Sequence, residues 1–422
     1  MIEEKPISNQ TQIMERLTKA VEYAYNNSPF YKEHLKDSIG NFGSFTLEDY
    51  QKLPFTTKQD IADQNEAFLC VPMNKVAEFV TTSGTSGDPI TMYLTKADLE
   101  RLAENERASL SMMDGSSDDI YQLLTTIDKQ FMAGLAYYLG VQKMNAGMIR
   151  VGPGVVAAQL NAIEQYKPTK LIAVPSFILA LIDYAKAKGI DLNNSSVNGI
   201  VCIGEPIRDA NMNYNTLGKK ITDQWGVKLY STYASTEMAT AFSECIAQNG
   251  GHVNEELIFV EVLDENDQQV SNGETGEVVV TTLGVEGTPI IRYRTGDIAS
   301  YWNEPCSCGR TSPRIGTIIG RKNQLIKFKG TSVYPQAIVN VLKSFDEVSI
   351  FHIVVDKDVD GIDILSVQLP KETISETLVV DIRDRFKALL KVNPTIDLVS
   401  LESIQKRNFD KAKRKPKFIT FN

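Results

Sequence analysis

The segment Thr81–Pro89, TTSGTSGDP, places three threonines, two serines and two glycines within nine residues. Glycine lets backbone amides come close to a ligand and hydroxyls add further donors, so such a stretch suits phosphate. A P-loop needs GxxxxGK[ST], and Asp88 stands where its lysine belongs, so the Walker pattern is excluded. Taken alone, the stretch also fits a solvated turn. Further on, YASTE (Tyr233–Glu237) follows an apolar run and ends in a carboxylate suited to magnesium, the hard cation that accompanies nucleotide phosphates. RYRTGD (Arg292–Asp297) sets an acid where it can accept hydrogen bonds from ribose hydroxyls.

A second group of chemistry-bearing residues is separate from these. Cys306 and Cys308 form a CSCGR turn, and Cys245 and His252 bracket the turn-like IAQNGG. Three thiols and one imidazole are a tetrahedral zinc set, and a site closed by four protein ligands is structural. Buried cysteines and a satisfied histidine without metal are the alternative. Cys70 and Cys202 lie in apolar runs and read as core. DKDVDGID (Asp356–Asp363) opens like a calcium loop but has Val367 where a bidentate glutamate is required, and it reads as a hairpin turn. His34 and His352 have no chemical partner nearby in sequence.

The chain that must position these groups has 422 residues, 42% hydrophobic content and a formal charge of −9. It can bury a large core in two or three domains, and its acidity argues against a nucleic-acid binder held by phosphate contacts. No segment reaches the roughly 20 apolar residues that span a bilayer, and MIEEKPISNQ has no leader pattern, so a cytoplasmic protein is expected. Five cysteines in this length are not a disulfide framework.

The patterning predicts an α/β fold. Helices dominate the first eighty residues. KLIAVPSFILALIDYAKAKG, GIVCIGEPIRDANMN and VKLYSTYASTEMATA each read as buried strand, loop and helix, which implies a mostly parallel sheet covered by helices. Ligands in such sheets sit at the carboxyl ends of the strands. After Gly250, short β-branched runs broken by turns predict antiparallel hairpins in a smaller sheet or barrel. Beyond GRKNQLIKFKG (Gly320–Gly330) a compact α+β unit follows, giving an expected division into 1–322 and a small C-terminal domain at 323–422.

Taken in order, LPFTTKQDI, TTSGTSGDP, IGEP, YASTE, RYRTGD, CSCGR and GRKNQLIKFKG resemble the adenylate-forming ligases, most closely the phenylacetate-coenzyme A ligase branch. The resemblance spans nearly the whole chain. It implies that a carboxylate attacks the α-phosphate of ATP to give an acyl-adenylate and pyrophosphate, after which a thiol displaces AMP. By this resemblance Thr82, Ser83, Gly84, Thr85, Ser86 and Gly87 cradle the pyrophosphate, and Gly204, Glu205 and Pro206 line the adenine pocket with Tyr233 on the base. Thr236 contacts the α-phosphate, Glu237 holds magnesium, and Asp297 takes the ribose with Arg321 beside it.

Attack of one anion on another needs positive charge and placement. The family's lysine matches Lys411 in NFDKAKR, with Arg414 behind it; Asp410 replaces the usual preceding glycine, within a basic tail. The small domain is expected to be mobile about a hinge at Asn323 or Lys322, although the family usually has a charged residue where Asn323 stands. Some members of the branch carry a metal at a Cys/His set like this one, which favours zinc, and the branch leads us to expect a homodimer.

For the acid, the resemblance points to Asp128–Tyr138, Pro175, Ser176, Ala234 and Ser235. Phe131, Tyr137 and Tyr138 suit an aromatic ring, with Ala133 and Gly134 leaving room, while helix-face core is the other reading. The polar Asp128, Lys129 and Gln130 suggest a hydroxy- or aminobenzoate more than phenylacetate. Coenzyme A is the expected acceptor; a carrier-protein phosphopantetheine, an amine, or a non-catalytic nucleotide-binding or zinc scaffold stay open.

Overall fold

A computed structural model describes residues 10–82, 90–328, 331–358, 363–409 and 417–422. The chain forms two compact units, the first ending at Ile318 and the second beginning at Ile319.

In the first unit, β1 (Val76–Thr81) and β2 (Thr91–Thr95) pair antiparallel. A large sheet then runs through β3 (Ile120–Leu123), β4 (Gly147–Arg150), β5 (Lys170–Ala173), β6 (Gly199–Cys202) and β7 (Lys228–Ser235), parallel in the order β4-β3-β5-β6-β7. Every residue of β5 and β6 is buried, as expected of parallel strands covered on both faces. Leu171, Ala173, Ile200 and Cys202 face a core with Leu160, Ile178 and Leu181, whereas the alternate Ile172 and Val201 face Leu110, Tyr137 and Val141.

The sheet continues antiparallel through β8 (Thr240–Glu244) and β9 (Gly251–His252). It then takes in β10 (Ile258–Leu263), β11 (Thr275–Thr282), β12 (Tyr293–Trp302) and β13 (Arg314–Ile315), in the order β10-β11-β12-β13-β9-β8-β7.

Two segments depart from the strand-loop-helix reading. In VKLYSTYASTEMATA the strand turns straight back, because Thr236–Ala239 form a tight turn, with Ala239 at φ 46°, that feeds the wholly buried β8. In GIVCIGEPIRDANMN the chain after β6 is turn and loop, and the next helix begins only at Thr216. The first correction matters for chemistry: the parallel sheet becomes antiparallel at the end of β7, where YASTE lies.

The second unit contains a four-stranded sheet in the order Thr395–Val399, Asp363–Pro370, His352–Lys357, Ile419–Phe421, and a separate antiparallel pair, Ile326–Phe328 with Thr331–Val333. Helices Pro335–Lys343 and Glu376–Leu390 contribute Ile338, Leu342, Ile382 and Phe386 to its core, against Ile353, Leu365 and Val367. The strands flanking DKDVDGID pair antiparallel as a hairpin; residues 359–362 of its turn lie outside the described set. His352 is a buried core histidine held by Asn408 and Thr420.

Candidate nucleotide site and metal cluster

The ends of β7 and β12 bring YASTE and RYRTGD together. Tyr233 donates its hydroxyl hydrogen bond to Asp297 Oδ2 at 2.9 Å, and its ring lies 5.6 Å from Phe242. The Asp297 amide is fixed on Thr295 Oγ1 at 3.0 Å, and the Thr295 hydroxyl on the Val278 carbonyl at 2.7 Å. Glu237 is buried in the turn after β7, with Tyr293 Oη at 3.5 Å and Lys58 Nζ at 3.4 Å from Oε1.

Lys58 reaches that carboxylate because LPFTTKQD is stitched to β12. Thr56 accepts from the Arg294 amide at 2.9 Å, donates its amide to Arg292 at 3.0 Å and gives its hydroxyl to Ile291 O at 2.7 Å. Thr57 then caps the helix Lys58–Asp63 through a reciprocal box with Asp60. Beneath the Glu237 turn, buried Arg101 donates to Ala239 O at 2.7 Å and Thr240 Oγ1 at 3.0 Å. Lys58, Tyr293 and Arg101 are site neighbours that the motif residues alone do not mark; the sequence signal nearest to them is that LPFTTKQD contains Lys58 and RYRTGD contains Tyr293.

Thr82 is buried at the mouth of the hydroxyl-rich loop, where its amide and side chain bond Ile90 at 3.0 and 3.1 Å. Ser83, Gly84, Thr85, Ser86 and Gly87 lie outside the described residues, as do Lys411 and Arg414. Thr236 occupies the turn between β7 and β8. Gly204 takes φ 74°, and the Glu205 carboxylate accepts from the Ser176 amide at 2.9 Å, at the N-terminus of helix Pro175–Ala187. That bond ties the Gly204–Pro206 loop to the start of the helix Pro175–Ala187, and Pro206 O is held by Asn215 at 2.8 Å. Arg321 belongs to the second unit, exposed on the short strand Gly320–Arg321.

The expected acid-pocket residues divide. Ala234 is exposed and Ser235 half-buried, with Ser235 Oγ accepting from Met238 N at 3.3 Å. Phe131 and Ala133 are half-buried at the start of helix Met132–Lys143. Gly134 leaves no room for a ring: a Cβ there would sit 1.8 Å from the Thr126 carbonyl oxygen, so the glycine exists for backbone packing. Tyr137 is buried in the core with its hydroxyl 3.5 Å from Thr232 Oγ1.

The cysteine and histidine residues form one cluster: the ligand atoms of Cys245, His252, Cys306 and Cys308 all lie within 4.8 Å of one another. Cys245 Sγ is 3.7 Å from Cys306 Sγ, and Cys308 Sγ is 3.6 Å from His252 Nε2. Sulfur ligands about 2.3 Å from a tetrahedral ion stand about 3.8 Å apart, so the donor set fits zinc. His252 Nδ1 lies 2.9 Å from Ser312 Oγ, which orients the ring. Burial, with the charges of Arg310 and Arg314, pushes the imidazole down to about 4, leaving it neutral at pH 7. Burial raises the Cys245 thiol to about 12; at Cys308 burial is outweighed by the Arg310 amide and guanidinium, which lower the thiol.

Residues 27–286 match the AMP-binding enzyme family, and residues 330–415 match its C-terminal domain. The phenylacetate-coenzyme A ligase of Thermus thermophilus is 30% identical over 79% of this chain and 75% of its own length. The Escherichia coli K12 phenylacetate-coenzyme A ligase is 27% identical over 94% and 91%. A 2-hydroxyisobutyryl-CoA ligase solved in the postadenylation state shares the fold with TM-score 0.82 at 21% identity, covering 98% of this chain and 89% of that one. The chain belongs to the AMP-binding enzyme family, in the branch of the phenylacetate-coenzyme A ligases. It is an AMP-forming acid–thiol ligase. Among the described residues no helix is long and apolar enough to cross a membrane.

Proposed function

We propose that this ligase activates an aromatic carboxylic acid, of the hydroxybenzoate, aminobenzoate or phenylacetate kind, and transfers the acyl group to coenzyme A. The observation that carries the reading is the bringing together of Tyr233, Asp297 and Glu237 at the carboxyl end of β7, the end of parallel strands at which α/β sheets bind ligands. In the first half-reaction a carboxylate oxygen bonds to the α-phosphorus and the bridging oxygen leaves with pyrophosphate. In the second, a thiolate bonds to the acyl carbon and AMP leaves.

Asp297 serves the ribose, Tyr233 the adenine face and Thr236 the α-phosphate, with Gly204, Glu205 and Pro206 beside the base. Glu237 is the carboxylate that would hold magnesium, which when bound neutralises triphosphate charge. The loop from Thr82 to Gly87 supplies amides and hydroxyls to the leaving pyrophosphate, and Lys411 and Arg321 supply positive charge. The Cys245, His252, Cys306 and Cys308 cluster is a structural zinc site that ties β8, β9 and the turn before β13 together.

The test is pyrophosphate release from MgATP across benzoates, hydroxybenzoates, aminobenzoates and phenylacetates, with and without coenzyme A. Release that depends on one aryl acid, followed by thioester formation with coenzyme A, is expected. Release only with aliphatic acids, or acyl transfer only to a carrier protein or amine, overturns the corresponding half of the reading. Lys411→Ala is expected to abolish adenylation while the protein remains folded.

A further inference from the structure

Arg101, in the helix Lys96–Met112, is a buried cation whose hydrogen bonds all run to neutral oxygens. Its Nε donates to Leu283 O at 2.8 Å, Nη1 to Ala239 O at 2.7 Å, and Nη2 to Thr240 Oγ1 at 3.0 Å and to Leu257 O. The carboxylate of Asp98, one turn earlier on the same helix, accepts instead from the amides of Thr95, Glu286 and Gly287. A buried charge without an ion pair is costly, and here it is tolerated through four oxygens held along the directions of the guanidinium fork. The fork and the segments that supply those oxygens therefore fix one another.

Those segments are the ones that carry the site. Ala239 ends the tight turn Thr236–Ala239, which holds Thr236 and the buried Glu237. It sits at φ 46°, a left-handed conformation that a residue with a side chain keeps only where its surroundings enforce it. Arg101 grips the carbonyl of that residue and the hydroxyl of the next, while Ser235 Oγ closes the turn from the other side on the Met238 amide. The remaining two acceptors flank the antiparallel strands: Leu257 precedes β10, Leu283 follows β11, and the Leu283 amide donates to Leu257 O at 2.8 Å. β11 pairs with β12, and its Val278 carbonyl holds Thr295, which in turn holds the Asp297 amide. One side chain thus sets the Glu237 turn against the hairpin that carries Asp297.

We propose that Arg101 is a positioning residue, whose fork holds the Thr236–Ala239 turn against β10 and β11 so that Glu237 meets the magnesium of bound MgATP. This rests on the reading above that Glu237 is the magnesium carboxylate. Arg101 acts through the backbone of the turn, so a change there reaches the nucleotide by way of Glu237. Lysine at this position keeps the charge, but one ammonium cannot reproduce the planar fork.

The test is calorimetry of ATP binding, in magnesium and in EDTA, for wild type, Arg101→Lys, Thr240→Val, Glu237→Gln and the double variant of Arg101→Lys with Glu237→Gln, with a melting curve for each. Wild type is expected to bind ATP more tightly with magnesium than without. Arg101→Lys is expected to lose about 10-fold in affinity for MgATP and less than about 2-fold for ATP in EDTA. Thr240→Val removes one acceptor and leaves Arg101 in place, and it is expected to show the same selective loss at about 3-fold. In the Glu237→Gln background Arg101→Lys should weaken MgATP binding little further, because both changes act on one contact. Equal losses with and without magnesium, or undiminished affinity for MgATP, overturn the proposal. If Arg101→Lys does not fold, Thr240→Val decides by the same criterion. If Glu237→Gln keeps the full magnesium dependence, Glu237 is not the magnesium carboxylate, and that reading fails and this proposal with it.

Discussion

Lys58 Nζ lies 3.4 Å from Glu237 Oε1, and this contact joins a helix near the start of the chain to the carboxylate proposed for magnesium. Lys58 is 36% exposed and Glu237 only 8%, so the ammonium is the solvent-facing partner of a shielded acid. A cation that binds Glu237 must share or displace that ammonium. Lys58→Met is therefore expected to lower the magnesium concentration needed for half-maximal rate. It should also reduce kcat/KM for ATP by about 10-fold, through loss of positive charge beside the phosphates. The check is adenylation rate against magnesium concentration; unchanged curves for the variant would dismiss the coupling.

Tyr233→Phe removes the 2.9 Å bond to Asp297 while keeping the ring. With Asp297 less fixed, KM for ATP is expected to rise by about 3- to 10-fold with a smaller change in kcat, since ribose binding precedes chemistry. Initial rates over an ATP series measure both parameters. A fall in kcat at constant KM would instead assign Tyr233 to the chemical step.

How much of this was legible beforehand follows from what each signal encodes. YASTE and RYRTGD are compact strings, so their chemistry could be read residue by residue. Their meeting depends on a sheet that reverses at β7, and the helix expected in EMATA hid that reversal. The Cys306 and Cys308 turn was visible as CxC, whereas the approach of Cys245 and His252 is created by β8, β9 and β13 pairing. Gly134 was misread as free space because a glycine in sequence does not say whether a ligand or a backbone carbonyl fills the gap. Arg101 gave no signal, since an arginine on a charged helix ordinarily faces water.

Gly134→Ala tests that correction. The new methyl would meet the Thr126 carbonyl at 1.8 Å, and the loop that must move also carries Gln130, whose carbonyl accepts from the Thr81 amide at 3.0 Å. Destabilisation of about 1–3 kcal/mol is expected, together with weaker adenylation because the base of the hydroxyl-rich loop shifts. Denaturant melts and pyrophosphate release measure the two effects. A stable, fully active Ala variant would restore the open-pocket view.

Metal removal separates structure from catalysis. Chelation strong enough to strip zinc, or Cys306→Ser, is expected to lower the melting temperature by about 5 °C or more. ATP affinity below the transition should change little, because none of the four ligands belongs to the nucleotide residues. Metal analysis should find one zinc per chain, and purified protein free of zinc with an unshifted melt would remove the site.

The buried Glu106 carboxyl predicts the direction of a pH effect on stability. Burial raises it from 4.5 to about 7, so between those values the folded chain holds more protons than the unfolded one, and stability falls as pH rises through the window. The cost of charging is absent below about pH 4.5 and complete above pH 7, where it amounts to on the order of 3 kcal/mol. Glu106→Gln carries no such charge. Its melting temperature relative to wild type should therefore climb between pH 5 and pH 8. A constant difference across that range would show that Glu106 ionises as freely in the folded protein as in the unfolded chain.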